Sequence, residues 1–254
     1  HALWERMDTI EAFAADVAHE IKNPLTSLKS AVETARVVKK KEDLEKLLDV
    51  IRHDVDRLDR LITDISSASR LDAELSREAF EVVDLKDILI RLLDAYRGPL
   101  ERHDATGENV SSVIKDGVVI SLKLPEQDSI LVQGSEGRLF QVFQNILENA
   151  LSFSKVKTEV EIKVVVKSNR VTVTVQDEGP GIPESKLKDI FERFYSERPH
   201  HEEYGRHSGL GLSICKQIIT AHAGVIYAEN RKGRNDDVTG ARFVVILNVL
   251  NGES

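Results

Sequence analysis

The sequence predicts an α+β protein in which a helical hairpin, assembled as a dimeric four-helix bundle, precedes a two-layer α/β sandwich. The first observation is a long amino-terminal region that lacks glycine and is rich in Ala, Glu, Lys and Leu. The second is a change after Asp72 to short valine-rich stretches that alternate with amphipathic segments. Helices mixed with strands that lie close together in sequence favour two packed layers. We therefore expect two domains, residues 1–73 and 74–254.

The hairpin is predicted from two helical patterns separated by a charged turn. Residues 7–38 predict one helix, residues 39–43 a turn, and the following residues a second helix that ends near Leu71. One hairpin cannot bury a coiled-coil seam by itself, whereas two hairpins form a four-helix bundle. We therefore predict a homodimer through residues 1–72. The seam of the second helix alternates steps of four and three: Leu44, Leu48, Ile51, Val55, Leu58, Ile62 and Ile65.

The second region carries the signals of the sandwich. Asp84 is a good N-cap for a helix that runs to about Tyr96, where Gly98 and Pro99 stop it. Residues 101–117 are polar with two glycines and predict an exposed loop. The remaining elements are predicted as strands 81–83, 118–124 and 130–133, a helix over 135–153, strands 160–167 and 171–176, a helix over 208–222, and strands 225–230 and 242–247.

The composition excludes several classes of protein. Lys and Arg number 35 against 43 Asp and Glu, and the net charge of −8 argues against nucleic-acid binding, which requires a basic face. The single cysteine, Cys215, excludes an internal disulfide and fits a reducing cytosol. No apolar run approaches the roughly 18 residues of a membrane span. Because a helix is already under way at the first residues, we expect the chain to be part of a longer protein.

A histidine and a carboxylate lie one turn before a proline in the first predicted helix. Pro24 removes the hydrogen bond to the Glu20 carbonyl and costs roughly 3 kcal/mol inside a helix. Near neutral pH the His19 ring is mostly an uncharged base, and Glu20 can accept its proton and make it a better nucleophile. Asn23 lies one turn from both, close enough to orient a water or a substrate. The alternative is an exposed His–Glu pair beside a packing kink.

The helix predicted over 135–153 carries a polar stripe beside its apolar face. Gln141, Asn145 and Asn149 recur at steps of four. Asn is a poor helix former, so two asparagines one turn apart on the same helix face indicate a functional role. Amide oxygens are hard ligands that suit Mg²⁺, which makes Asn149 and Asn145 candidate metal ligands. The alternative is a solvated polar face.

Two glycine motifs flank a charged segment. Asp177 follows a strand and can accept a hydrogen bond from an exocyclic amine such as adenine N6, while Gly179 and Gly181 allow close backbone approach; a simple turn would use the same residues. The turn of Gly209, Leu210 and Gly211 precedes a helix whose free N–H groups make an anion site. Neither motif matches a Walker or Rossmann pattern. The segment 193–208 has the composition of a mobile lid over a nucleotide.

In this order the motifs resemble those of the bacterial sensor histidine kinase family. Its dimerisation and phosphotransfer hairpin precedes an ATP-binding domain of the gyrase, Hsp90, kinase and MutL (GHKL) type. Residues 148–154 also resemble the ChvG/ExoS group of envelope sensors. The matching motifs are the H-box at 19–24, the N-box at 145–149, the G1-box at 177–181, the F-box at 191–195 and the G2-box at 209–211.

The resemblance implies ATP-dependent autophosphorylation of His19, followed by transfer to an aspartate in the receiver domain of a response regulator. Glu20 would act as the base that assists attack on the γ-phosphate. Asn23 would help to position the reacting groups and, because many family members are also phosphatases, a hydrolytic water. The family further implies an amino-terminal membrane anchor that is absent from this chain, which would leave these residues on the cytoplasmic side.

The resemblance also assigns the nucleotide site. Asn149 would hold Mg²⁺ on the phosphates with Asn145 beside it, Asp177 would read adenine, and the 209–211 turn would close on the triphosphate. Two departures from the family pattern matter. Ser152 stands where a basic residue usually meets phosphate, and Arg193, Arg198 or Arg206 would supply that charge. Ala241 replaces the usual Thr of the last glycine motif, beside Thr239 and Gly240.

Two other functions remain open at this point. A pseudokinase or scaffold would bind nucleotide and partner without phosphoryl transfer. A plain ATPase of the same superfamily would lack the hairpin, which makes it the weaker alternative. The sequence leaves open the signal, the partner regulator, the balance of kinase and phosphatase activities, and whether transfer runs within or between chains.

Overall fold

The computed structural model describes residues 2–75, 77–97, 110–193, 195, 209–233 and 235–250, with fewer side chains described in the two long helices. The chain divides into two compact units. The first comprises His1–Asp72 and Glu192–Ser213, and the second comprises Ala73–Phe191 and Ile214–Ser254. Among the described helices, none combines the length and apolarity needed to cross a bilayer.

The amino-terminal residues form the predicted pair of helices. Helix α1 spans Ala2–Ala35, so it begins and ends earlier than the predicted 7–38. Helix α2 spans Lys41–Leu75 and extends beyond the prediction at both ends. Pro24 is accommodated inside α1. The turn between the helices begins earlier than expected, because the amides of Val37 and Val38 both bond to the carbonyl of Thr34 at 3.0 and 3.1 Å and close the last turn of the helix.

The seam of α2 is only half covered in the single chain. Leu48, Val55 and Ile62, each seven residues apart, are 54%, 51% and 56% exposed. The intervening seam positions are half-buried: Leu44, Ile51, Leu58 and Ile65. An apolar stripe exposed at heptad spacing is what a second helix pair would cover.

The second unit is built around a six-stranded sheet. The strands are β1 (Glu81–Asp84), β2 (Val110–Lys115), β3 (Val118–Lys123), β4 (Leu131–Gly134), β5 (Glu159–Lys167), β6 (Arg170–Gln176), β7 (Val225–Lys232) and β8 (Val238–Asn248). The main sheet has the order β2-β3-β5-β6-β8-β7 and is antiparallel except for the β3–β5 pair. Strands β1 and β4 form a separate antiparallel pair.

Among the described residues, three α-helices accompany the strands. They are α3 (Leu85–Ala95), α4 (Glu136–Phe153) and α5 (Gly211–Ala221). Asp84 caps α3 as predicted, since its Oδ1 accepts hydrogen bonds of 2.9 Å from the amides of Lys86 and Ile130. Helices α3 and α4 contact the sheet and each other, which confirms the two-layer α/β arrangement. The alternating valines of β6 face the core, and all three are buried: Val171, Val173 and Val175.

The sequence prediction is wrong at two strands. The second half of the predicted loop 101–117 contains β2, which pairs antiparallel with β3 at one edge of the sheet; residues 101–109 lie outside the described residues. Strand β8 begins at Val238 rather than Arg242, because Gly240 continues the ladder opposite Arg231 instead of forming a turn.

Candidate functional site

The histidine motif lies in α1, which runs unbroken through it. The side chains of His19 and Glu20 are outside the described residues. Asn23 is exposed, whereas Pro24 is buried. The helix therefore presents the Asn23 amide on its open side, one turn beyond the histidine position.

Asp177 is the best-defined polar residue of the second unit. It directly follows β6 and is only 2% exposed. Its Oδ1 accepts hydrogen bonds from the amides of Gly179 at 2.8 Å and Ala241 at 3.0 Å, and its own amide donates to the Ala241 carbonyl at 3.0 Å. These bonds fix the carboxylate at the end of the strand, and neither acceptor bond uses Oδ2.

The environment of Asp177 opposes its ionisation. Burial raises the pKa of its carboxyl above the ordinary value, while the two backbone N–H groups and the charge of Arg231 work in the opposite direction. A buried carboxylate with one oxygen already satisfied is suited to accept one further hydrogen bond from a ligand donor.

The loop after Asp177 needs its glycines for packing. A Cβ on Gly179 would lie 2.9 Å from both Asp177 Oδ1 and the Phe153 carbonyl oxygen. Gly181 has a φ of +78°, and a Cβ there would overlap Val238. Asn230 holds the next residue by two hydrogen bonds of 2.7 Å to the amide and carbonyl of Ile182. Sequence reasoning missed Asn230, because its partner lies far along the chain.

The structure explains how Ala241 can stand in place of the usual Thr of the last glycine motif. A Cβ on Gly240 would overlap the Asp177 carbonyl, so only glycine fits where β8 passes the aspartate. Ala241 holds Asp177 Oδ1 by its backbone N–H, which needs no side-chain hydroxyl. Thr239 does not take over this contact, since its hydroxyl donates to the Arg231 carbonyl at 3.3 Å.

The two asparagines of α4 have different surroundings. Asn145 makes a side-chain hydrogen bond with Cys215, whose pKa burial raises to about 12. The backbone carbonyl of Asn149 accepts a hydrogen bond of 2.7 Å from the Ser152 hydroxyl. Its side-chain amide is half-buried and makes no hydrogen bond to another described residue. Asn149 is therefore better placed than Asn145 to ligate a metal, and Ser152 is turned toward its own helix.

The second glycine turn and Arg193 belong to the other compact unit. Gly209 adopts a φ of +73°, Leu210 is fully buried, and α5 begins at Gly211. This agrees with a glycine turn that opens a helix. Arg193 is half-buried. Phe194 and residues 196–208, which include Arg198, Arg206 and most of the predicted lid, lie outside the described residues.

A cavity of about 590 Å³ opens beside the Asp177 turn. Its two cationic side chains are already paired, Arg231 with Glu178 at 3.3 Å and Lys232 with Asp236 at 2.9 Å. None of the predicted nucleotide ligands lines it: its walls are Glu178, Arg231, Lys232, Gly233 and Thr239. We therefore do not assign the nucleotide to this cavity.

Two family models match the chain. The His Kinase A (phospho-acceptor) domain matches residues 9–74, and the histidine kinase-, DNA gyrase B- and HSP90-like ATPase matches residues 134–250. The sensor protein ChvG of Rhizobium meliloti is 46% identical over 247 residues, which are 97% of this chain and 41% of that protein.

The chain belongs to the sensor histidine kinase family. The ChvG resemblance of residues 148–154 extends along the chain. The match spans about two fifths of the length of the ChvG relative.

Solved structures agree with this family membership in their fold. Histidine kinase ThkA in complex with response regulator TrrA superposes with a TM-score of 0.69 at 23% identity, covering 97% of this chain and 64% of that one. Full-length ShkA in complex with AMPPNP gives a TM-score of 0.55 at 22% identity, covering 94% and 46%. At these identities the likeness shows the fold alone, a helical hairpin with a GHKL-type ATPase domain.

Proposed function

We propose that this sensor histidine kinase chain uses ATP and Mg²⁺ to phosphorylate its own His19 and then transfers the phosphoryl group to an aspartate of a response regulator receiver domain. The observation that carries the proposal is the buried Asp177 carboxylate, held by Gly179 and Ala241 in a domain that follows a helical histidine motif. We further propose that residues 1–73 dimerise and carry the phospho-acceptor, whereas residues 74–254, which we call the nucleotide domain, bind nucleotide.

The nucleotide-binding roles follow from the donor and acceptor groups. Oδ2 of Asp177 accepts a hydrogen bond from the adenine amine, because Oδ1 is already occupied by two backbone amides. The Asn149 amide oxygen holds the metal, with Asn145 supporting it from the next turn. Gly209, Leu210 and Gly211 offer backbone donors to the phosphates at the start of α5. Arg193, Arg198 or Arg206 supplies the positive charge that Ser152 does not.

The phosphoryl-transfer step uses three residues of α1. A nitrogen of the His19 imidazole forms a bond to the γ-phosphorus as the bond to the bridging oxygen breaks and ADP leaves. Glu20 takes the proton from the other ring nitrogen, and Asn23 orients the reacting groups. When bound, ATP would supply the phosphoryl group, and Mg²⁺ would neutralise part of the charge on the phosphates. In the proposed phosphatase reaction Asn23 would position a water that attacks the phosphorus of the regulator's aspartyl phosphate, so that the aspartate leaves and inorganic phosphate is released.

Incubation with γ-labelled ATP tests the proposal. We expect an acid-labile, base-stable label in the wild type that is absent in His19→Gln, because glutamine offers no nucleophilic nitrogen. Asn23→Ala, next on the same helix face, serves to separate the activities: labelling should slow, because Asn23 orients the reacting groups, whereas phosphatase activity should be lost. Label that persists in His19→Gln would remove His19 from its role, and nucleotide binding without any label would indicate a pseudokinase.

Asp177→Asn tests the nucleotide site separately. Asparagine keeps an oxygen for the amides of Gly179 and Ala241 but loses the charge, so we expect ATP affinity to fall by about 10- to 100-fold. Since the pKa of Asp177 is raised in the folded state, the proton-linked stability present at low pH is lost as pH rises through that pKa. The neutral variant should therefore unfold at the same or a higher temperature at pH 7. Unchanged affinity by calorimetry would contradict the assignment.

The relatives support a larger assembly. We propose a homodimer through the hairpin, consistent with the exposed heptad positions Leu48, Val55 and Ile62. We also propose that the full-length protein is anchored in the inner membrane by an amino-terminal portion and holds these residues in the cytoplasm; the match to only 41% of the ChvG relative is consistent with a longer protein.

A further inference from the structure

His222, directly after α5, is held in a single tautomer. It is 7% exposed. Its Nδ1 lies 2.7 Å from the Ile218 carbonyl oxygen, and its Nε2 lies 3.0 Å from the Ser135 amide nitrogen, which donates to it. Because a carbonyl oxygen only accepts, the hydrogen is on Nδ1 and the ring is neutral. One partner belongs to α5 and the other precedes α4, so the ring connects the ends of two helices.

The junction between β4 and α4 is shaped around this ring. A Cβ on Gly134 would lie 2.6 Å from His222 Cδ2, so a larger residue would displace the imidazole. Ser135 has the extended backbone of an N-cap but makes no side-chain capping bond. Its hydroxyl instead donates to Glu78 Oε1 at 2.7 Å. A serine that usually stabilises its own helix is here used to hold a distant residue.

Glu78 belongs to the segment that joins α2 to β1, and this segment meets the same junction at several points. Phe80 stacks on the His222 ring with centroids 4.3 Å apart and planes 23° apart. Arg138, in the first turn of α4, donates from Nε to Glu78 Oε2 at 3.2 Å and from Nη2 to Glu74 Oε2 at 2.6 Å. We name Glu78, Phe80, Ser135, Arg138 and His222 the linker cluster.

The charges around His222 favour its neutral form. Burial lowers the pKa of the ring, partly opposed by the Ile218 carbonyl and the Glu78 carboxylate. Arg138 lies behind Glu78 and neutralises it. A protonated ring would direct an Nε2–H at the Ser135 N–H, placing two donors against each other. The contacts of the linker cluster therefore require an uncharged imidazole.

We propose that His222 is a positioning residue for phosphoryl transfer, holding the Glu78–Phe80 segment against the start of the helix that carries Asn149. The inference rests on the proposed kinase function, since it concerns the segment that follows the hairpin in sequence. The nucleotide contacts of Asp177 and Asn149 lie outside the linker cluster. Loss of the cluster therefore slows transfer to His19 without weakening nucleotide binding.

Two substitutions at His222 form a matched pair. His222→Leu removes both hydrogen bonds, whereas His222→Gln keeps an acceptor for the Ser135 amide. In the full chain we expect the labelling rate at saturating ATP to fall about tenfold in His222→Leu and to be partly restored in His222→Gln. The dissociation constant of a non-hydrolysable ATP analogue should stay within about twofold of the wild type in both variants.

The linker side gives an independent test should His222→Leu fail to fold. Phe80→Leu removes the stacking partner and should slow labelling with unchanged analogue affinity. Glu81→Gln, an exposed change in the adjoining strand, is the control and should leave the rate unchanged. Protonation of His19 slows labelling at low pH in both proteins, so the test is the ratio of the two rates: below about pH 6.5 the labelling rate of the wild type should fall further than that of His222→Gln, which lacks the second titrating imidazole.

Several outcomes would overturn the inference. Equal labelling rates in the wild type, His222→Leu and Phe80→Leu would show that the linker cluster has no role in transfer. A parallel loss of analogue affinity would show that His222 only supports the nucleotide domain. A wild-type chain that binds the analogue but never labels would instead refute the proposed function. In that case the ring-nitrogen signals of His222 in ¹⁵N spectra still decide whether the neutral Nδ1–H tautomer is present.

Discussion

The helical hairpin and the nucleotide domain complete their cores in different ways. The hairpin leaves Leu48, Val55 and Ile62 about half exposed along one line of α2. The nucleotide domain buries its helix faces within the chain, and Leu139, Phe143 and Leu147 of α4 have no exposed surface. The same chain thus contains one region whose helix faces are covered by its own residues and one whose apolar seam we propose is covered by a second copy.

The two regions also differ in whether their buried polar groups have hydrogen-bond partners. Among the described residues, the one buried side-chain oxygen without a hydrogen-bond partner is Oδ2 of Asp54, on α2. In the nucleotide domain, the buried Asp177 and His222 both have hydrogen-bond partners. An unsatisfied buried oxygen is costly, so its position in the hairpin fits a region whose packing is incomplete in a single chain.

The largest expected effect is on the hairpin alone. Replacing Leu48, Val55 and Ile62 together with glutamine removes three apolar side chains from the proposed dimer interface. At about 1.5 kcal/mol or more for each buried side chain, the dimer dissociation constant should rise by at least about 10³-fold. Light scattering across a concentration series measures this, and ATP affinity should not change.

A control for this triple variant uses the next helix face at the same spacing. Asp49, Asp56 and Thr63 are exposed, and changing them to glutamine should leave the dimer intact. If the triple variant at Leu48, Val55 and Ile62 stayed dimeric, the contrast between the two regions would be wrong.

A second prediction concerns the self-contained core of the nucleotide domain. Gly240→Ala places a methyl group on the Asp177 carbonyl and should lower stability by about 3 kcal/mol, or about 6–12 °C in the melting temperature. Gly137→Ala is the matched control, since a Cβ there meets nothing within 4 Å and alanine should stabilise α4 by about 0.5–1 kcal/mol. Chemical denaturation separates the two, and equal effects would show that the close approach at Gly240 does not matter.

The smallest expected effect compares one arginine from each region. Arg242 of β8 donates hydrogen bonds to Gln176 at 3.2 Å and to Glu229 at 2.9 Å, and so links three strands. Arg52 of α2 pairs with Asp49, but the two side chains are 77% and 71% exposed. Arg242→Ala should cost about 1–2 kcal/mol and Arg52→Ala less than about 0.5 kcal/mol. Urea titration of both variants measures the difference, and a larger loss for Arg52 would reverse the comparison.

Most of the fold was predictable because its signals are local. The heptad seam of α2, the Asp84 cap and the alternating valines of β6 each occupy a short stretch whose period sets its structure. Strand β2 escaped prediction because Ser111 and Ser112 interrupt its apolar pattern and its partner is supplied only by β3. The start of β8 was misplaced because Gly240 resembles a turn residue, whereas its role depends on how close Asp177 lies.

The candidate site was predictable to the same extent. Asp177 and its glycines form a compact motif, and the structure supplies the reason for each glycine that it describes. Asn230 and the amide of Ala241 support the site through contacts made far along the chain, so no local pattern signals them. His222 carried no sequence signal either, because its partners at Ser135 and Phe80 come from two other segments.

The single parallel pairing in the main sheet has a consequence for how the chain folds. Strands β3 and β5 are joined side by side, with Val119 opposite Glu159, and the chain between them must travel back through β4 and α4. Hairpins β2–β3 and β5–β6 can form from neighbouring residues, but the seam between them closes only after this long crossover has been made. The crossover that must be made before this seam closes includes the helix proposed to hold the phosphates.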